Sequence, residues 1–107
     1  MSIARTVYLL ALCVFSSGSF AADPLEPVNL RLKWKHQFQF AGYYAALEKG
    51  YYQEAGFDVT LQQSVPGISE LDALEQGVVE FAASDATAIL HRLWGRPVVV
   101  INPIFPN

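Results

Sequence analysis

The chain has 107 residues and a formal net charge of −3. That length leaves room for one domain at most. An acidic chain lacks the clustered basic footprint of a nucleic-acid binder, so no nucleic-acid partner is expected.

The first stretch has the pattern of a secretory signal peptide. Arg5 supplies a positive start, Val7 to Phe15 is a nine-residue apolar run, and Ser19 and Ala21 are small residues at the −3 and −1 positions of a cleavage site. The apolar run is too short to span a bilayer. Residues 1–21 are therefore expected to be a signal peptide, cleaved after Ala21, with a soluble product exported to the periplasm. The only cysteine, Cys13, lies inside that run. The mature chain is then expected to have no disulfide and no cysteine metal site.

Residues 22–27 contain Pro24 and Pro27, which favour a tether over a helix. The domain is expected to occupy residues 28–107. Val28, Leu30, Leu32 and Trp34 alternate with Asn29, Arg31 and Lys33, and this period of two predicts a strand with one face on a core. A helix is predicted from about Phe40 to Lys49, ended by Gly50 in a left-handed cap. Tyr51 to Gly56 reads as a compact turn. Phe57, Val59 and Leu61 alternate with polar residues, which predicts a second strand.

Ser64 to Gly67 reads as a loop. Ser69 followed by Asp72 resembles a capping box, and Ile68, Leu71 and Leu74 give the helix after it one apolar side. Gly77 stops that helix, and Val78 to Ala83 predicts a short buried strand. Ser84 and Asp85 are both good N-caps for a helix whose apolar stripe is Ile89, Leu90, Leu93 and Trp94. Gly95 and Pro97 end it. Val98 to Ile101 is an apolar β-branched run, the pattern of a central parallel strand. Strand–helix alternation of this kind predicts an α/β fold with a parallel sheet and right-handed βαβ crossovers.

Two places on this plan invite a ligand. The first is the turn from Trp34 to Tyr44, at the carboxyl edge of the first strand, where open α/β sheets bind their ligands. Most turns are built from Gly, Pro, Asn, Asp and Ser; this one carries rings and amides. Trp34, Phe38, Phe40 and Tyr43 offer ring faces and Gln37 and Gln39 read edges, a set suited to a small flat molecule. The alternative is that Trp34 and Phe40 are core. The second place is the turn at Ser84 and Asp85, whose hydroxyl and free N–H groups can hold a polar group or merely cap the helix. Trp34, Gln37, Phe38, Tyr43, Ser84 and Asp85 are thus the candidate ligand-binding residues. No phosphate-cradling or metal-ligating motif occurs. A Ser84–His36–Asp85 triad has no nucleophile elbow to support it, so no catalytic residue and no metal ligand is assigned.

The run Ala41-Gly42-Tyr43-Tyr44-Ala45-Ala46, then Glu48-Lys49-Gly50-Tyr51-Tyr52 and Glu54-Ala55-Gly56-Phe57-Asp58-Val59, resembles the opening of the SsuA/THI5-like (NMT1/THI5-like) family. Gly77, Glu80-Phe81-Ala82 and Gly95-Arg96-Pro97-Val98-Val99 are similar to its next landmarks. The Lys33–Phe40 segment is most similar to that of bacterial exported members. The resemblance implies a periplasmic-binding-protein fold (type II): two α/β lobes with a small-molecule ligand between them, serving an ABC permease or a receptor with a fused sensor-kinase or cyclase module. Thiamine pyrimidine precursors and sulfonates are ligands the family implies. The chain is expected to hold only the opening of the first lobe, and so to be an incomplete, aggregation-prone lobe or a non-functional truncated product. A eukaryotic branch of the family comprises thiamine pyrimidine synthases, which hold pyridoxal phosphate on a lysine and use iron. Ser84 stands at that lysine's place, Phe40 stands where those enzymes carry a histidine, and no lysine follows Lys49. A Schiff base needs an amine, so the expectation is a binding protein with no cofactor.

Overall fold

A computed structural model describes residues 22–104. The signal-peptide and cleavage expectations, with Cys13, lie outside the described residues, as does the chain from Phe105 onward. Strand β1 (Glu26–Arg31) is followed by a 3-10 turn (Phe38–Phe40), helix α1 (Ala41–Glu48), a short helix α2 (Tyr51–Glu54) and strand β2 (Phe57–Gln62). Helix α3 (Glu70–Glu75), strand β3 (Phe81–Ala82) and helix α4 (Thr87–Leu93) complete the order. The sheet is parallel, in the order β2-β1-β3. The predicted α/β class with a parallel sheet is what forms.

The period of two in β1 becomes burial. Val28 is 8% exposed and Leu32, just past the strand, is 0% exposed. Val28 pairs with Val59 and Leu30 with Leu61, so the apolar alternations of the two strands share one face. The opposite face carries a polar relay: Arg31 Nη2 donates to Gln62 Oε1 (2.9 Å), and Gln62 Nε2 donates to Asn29 Oδ1 (3.0 Å). Arg31 is only 6% exposed.

β1 starts two residues earlier than the alternation predicts, and it tolerates Pro27 for a geometric reason. The even residues of β1 send their N–H groups toward β2, as Glu26 does to the Gly56 carbonyl (2.9 Å). The odd residues face the β3 side, where Asn29 and Arg31 carbonyls accept from Glu80 and Ala83. β3 reaches only Leu30 and Arg31. The N–H that Pro27 lacks therefore points where the ladder has no partner, a position that suits proline.

Helix α1 ends as predicted: Gly50 has φ +75° and its N–H returns to the Leu47 carbonyl (3.1 Å). The predicted capping box also forms. Ser69 Oγ accepts from the Asp72 N–H (3.1 Å), and the Ser69 N–H donates to the Asp72 carboxylate (3.2 Å). Arg96 clamps the same helix from the far end of α4, donating to Asp72 and Glu75.

Three expectations need correction. The Val78–Ala83 strand shrinks to Phe81–Ala82, with Val79 buried but Val78 and Phe81 exposed. Part of the reason is Glu80: its carboxylate takes the Asn29 N–H (2.6 Å), a donor that a longer β3 meets with a main-chain carbonyl. The Val98–Ile101 run forms no strand. A two-residue β3 offers too short a ladder to template a neighbour, and Pro97 and Pro103 remove donors on either side of the run. Val98 alone packs inward, against Leu71 and Ala88, while Val99 is 76% exposed. Finally, Ile89, Leu90, Leu93 and Trp94 are all exposed, and Ala88 is the buried residue of α4. An apolar stripe is buried only when a second apolar surface meets it, and without the fourth strand none does among the described residues.

Candidate functional site

The carboxyl ends of β1 and β2 are sutured beyond the last ladder pair. The Leu32 N–H donates to the Gln62 carbonyl (2.7 Å), and the Ser64 N–H donates to the Trp34 carbonyl (3.1 Å). From there the two chains part. Lys33 to His36 form a bend instead of continuing the strand. This matters because in an extended strand Lys33 and Lys35 would point away from Trp34's side; in the bend all three face one space. The opposite chain turns at Pro66-Gly67. Gly67 has φ +82°, as the third residue of a type II turn requires, and proline is common at the position before it. The turn closes with the Ile68 N–H on the Val65 carbonyl (3.2 Å).

Between these walls lies a groove of ≈ 560 Å³, with Lys33, Trp34 and Lys35 on one side and residues 63–70 on the other. That volume lies within the range of small-molecule pockets. The Val65–Ile68 side is apolar and open, and Trp34 is 55% exposed.

Ser84 and Asp85 reach this groove indirectly. Ser84 Oγ donates to Glu70 Oε1 (2.8 Å). Lys33 Nζ donates to Asp85, whose other oxygen accepts from the Thr87 N–H and hydroxyl. The Lys33 ammonium first, then the Thr87 groups, hold the Asp85 carboxyl well below the usual carboxylate range. Neither predicted cap takes the N-cap position of α4, which falls on Ala86; Asp85, one residue earlier, holds the first N–H of the helix from its side chain, and Ser84 does not. Both side chains orient groove-lining charges, Lys33 and Glu70.

The other sequence candidates lie elsewhere. Gln37 and Phe38 are exposed ahead of α1, Phe38 at 92%, and neither lines the groove. Tyr43 sits on α1 beside Phe40, with ring centroids 6.4 Å apart. Burial first, then the neighbouring Tyr52, push its hydroxyl pKa up. The choice left open between Trp34 and Phe40 resolves in opposite senses: Phe40 is core at 7% exposure and Trp34 is not. His36 pairs its Nδ1 with the Tyr44 hydroxyl. With Ser84 on Glu70 and Asp85 on Lys33, no Ser-His-Asp triad is assembled. Among the described residues, no three His, Cys, Asp or Glu side chains group to hold a metal ion.

Sequence reasoning missed Lys33, Lys35, Glu70 and the Val65–Ile68 wall. The Pro66-Gly67 pair was a usable signal, because it follows β2 at the same sheet edge as Trp34.

A model of the NMT1/THI5 like family matches residues 37–107. The chain belongs to the NMT1/THI5-like family. No curated protein and no solved structure matches it. The match covers α1 through α4 and the 63–70 wall of the groove, while Lys33, Trp34 and Lys35 stand just before it. The three-stranded parallel sheet is that of part of a periplasmic-binding-protein-like lobe, in a family of solute-binding and related proteins typically found in the periplasm or outside the cell. The pyridoxal phosphate of its synthase branch does not fit the residues present. At the lysine's place Ser84 offers a hydroxyl already bonded to Glu70, and the nearby amine of Lys33 is engaged by Asp85.

Proposed function

We propose that this chain is a solute-binding lobe that takes a small organic molecule in the groove between the ends of β1 and β2. The observation that carries the reading is Trp34: a large ring, more than half exposed, at the mouth of a pocket-sized groove, on a residue whose main-chain carbonyl accepts from the Ser64 N–H. A ring left in water at a defined edge costs burial that a packed one gains, and ligand-stacking recovers it. Trp34 is the contact in this reading, with Ser84 and Asp85 supporting Glu70 and Lys33. Gln37, Phe38 and Tyr43 form a separate outer surface, available to a second wall. The linker expected over 22–27 shortens to 22–25 because Glu26 and Pro27 already belong to β1, and a signal peptide over residues 1–21 delivers the domain to the periplasm. There it serves an ABC permease or a membrane receptor, with thiamine pyrimidine precursors among the solutes to test.

A thermal-shift screen of small heteroaromatic and acidic solutes tests the reading. At least one is expected to raise the melting temperature in the native chain and to lose that effect in Trp34→Ala. A solute that stabilises both proteins equally binds elsewhere and defeats the proposal. N-terminal sequencing of exported product tests the leader: a start at Ala22 is expected, and an intact Met1 defeats it.

A further inference from the structure

We propose that residues 98–102 form a self-docking strand, which pairs antiparallel with the same run of a second copy of this chain about a two-fold axis at Val100. Three observations converge. First, the run has the properties of a strand except a ladder. Val98-Val99-Val100-Ile101 is β-branched throughout, a composition that favours strands. It continues to Pro103 without turn or bend. A groove of ≈ 360 Å³ stands between it and β3, with Phe81 and Ala82 on one side and Val99 and Ile101 on the other. Among the described residues, no main-chain hydrogen bond engages the N–H or C=O groups of Val99, Val100 and Ile101. An open edge of this kind is a template for another chain.

Second, the prolines make the run symmetric about its middle. Pro97 and Pro103 each lie three residues from Val100. Set antiparallel about Val100, Val99 of one copy faces Ile101 of the other, and Pro97 faces Pro103. The Val98 N–H is spent on the Arg96 carbonyl (2.8 Å), so Val99 and Ile101 are the residues that exchange main-chain bonds. The ladder then stops at the two prolines, which have no N–H to give. Third, area and charge suit a second copy. Leu93, Trp94, Val99, Val100, Ile101 and Ile104 are each 52–76% exposed; their exposed surface is on the order of 800 Å², what each partner of a standard interface contributes. In a two-fold contact the same patch meets itself, so any charge on it meets like charge. The one charged residue from Leu93 to Ile104 is Arg96, and Asp72 and Glu75 hold it. No free charge on the patch therefore opposes its own copy. Below the dissociation constant the monomer prevails, with Val99 in water.

The test uses the chain as exported, in a Cys13→Ser background, where each introduced thiol is the only one. Sedimentation equilibrium is expected to show reversible monomer–dimer exchange with a dissociation constant in the micromolar range. Ile101→Pro removes one of the exchanged donors and is expected to weaken the dimer at least tenfold. The run is unpaired in the monomer, so far-UV circular dichroism of this variant at low concentration is expected to match the parent. Register is read by oxidation with diamide. Residues facing each other in a non-hydrogen-bonded pair have Cα atoms about 4.5 Å apart, within disulfide reach. In the same register the two copies of residue 102 lie roughly 14 Å apart. Val100→Cys is therefore expected to give a covalent dimer at least tenfold faster than Asn102→Cys. A monomer at every concentration overturns the proposal. So does open-ended assembly into larger species, because a two-fold contact closes. An Ile101→Pro dimer as tight as the parent, or equal crosslinking at residues 100 and 102, places the contact elsewhere and overturns it too.

Discussion

The β1–β2 half of the molecule and the β3–α4 half were built by the same sequence rules and reached different ends. β1 and β2 share six paired positions in register, and their apolar faces close over Val28, Leu32 and Val59. β3 shares only two positions with β1, and the apolar residues after it mostly face water. The difference teaches that hydrophobic pattern selects a conformation only where a partner surface completes it. A strand's pattern needs a ladder, and a helix's stripe needs a face to cover. The groove lies at the end of the well-zipped half and borrows Asp85 and Ser84 from the other. Its geometry is therefore as firm as the β1–β2 suture, while its charge arrangement depends on the looser half.

The largest effect that sharpens this contrast is expected at Leu32. Its side chain is fully enclosed, and truncating a buried leucine to alanine costs about 2–5 kcal/mol. Leu32→Ala is expected to lower the denaturation midpoint sharply or to abolish cooperative unfolding. Leu93→Ala, at 75% exposure, is expected to change stability by less than about 0.5 kcal/mol. Similar urea midpoints for the two variants would break the comparison.

The next effect divides two adjacent valines. Val98→Ala removes methyls packed on Leu71 and Ala88 and is expected to cost about 2 kcal/mol, at roughly 0.8 kcal/mol per buried methylene with a small cavity term. Val99→Ala, with its side chain in water, is expected to be close to neutral. Were the run a paired strand, both would matter, since both faces of a central parallel strand are buried. A smaller loss is expected from Ser69→Ala, which removes the α3 cap and costs about 1 kcal/mol, read as a lower melting temperature with α3 amides exchanging faster.

What was legible from the sequence follows the same division. β1, β2, the Gly50 stop and the Ser69–Asp72 box were readable because their determinants are local: alternation, a permissive φ, a spacing of three. The fourth strand was misread because Val98–Ile101 has the composition of a strand but no ladder to join. Pro97 and Pro103 flank it, and β3 beside it stops at two residues, in part because the Glu80 carboxylate takes the Asn29 N–H. The site was partly readable. Trp34 stood out as a ring in a turn, yet whether Trp34 or Phe40 goes inward is decided by the bend at 33–36, which no period reveals. The pairing of Lys33 with Asp85 spans 52 positions in the chain, so no local pattern could have shown it.

The last prediction concerns acid. Three carboxylates held below their usual range lie in the looser half or at its border. Asp72 is lowered by the Ser69 hydroxyl and then by Arg96, Glu80 by the Asn29 N–H, and Asp85 by Lys33 and then Thr87. A carboxyl whose folded pKa lies below its unfolded value binds fewer protons in the native state. Its stabilisation is present above the unfolded pKa, at about 4, and is lost as pH falls through the folded pKa. Lowering pH from about 4 is therefore expected to loosen the α3 start, the β1–β3 edge and the Lys33–Asp85 link before the β1–β2 ladder opens. All three groups are near the surface, so the loss is modest and shrinks further in high salt. Hydrogen exchange near pH 3 reads it directly: amides of α3 and α4 are expected to lose protection while those of β1 facing β2 keep theirs. Simultaneous loss in both halves would show that the two are one cooperative unit, and that the contrast between them ends at the ladder.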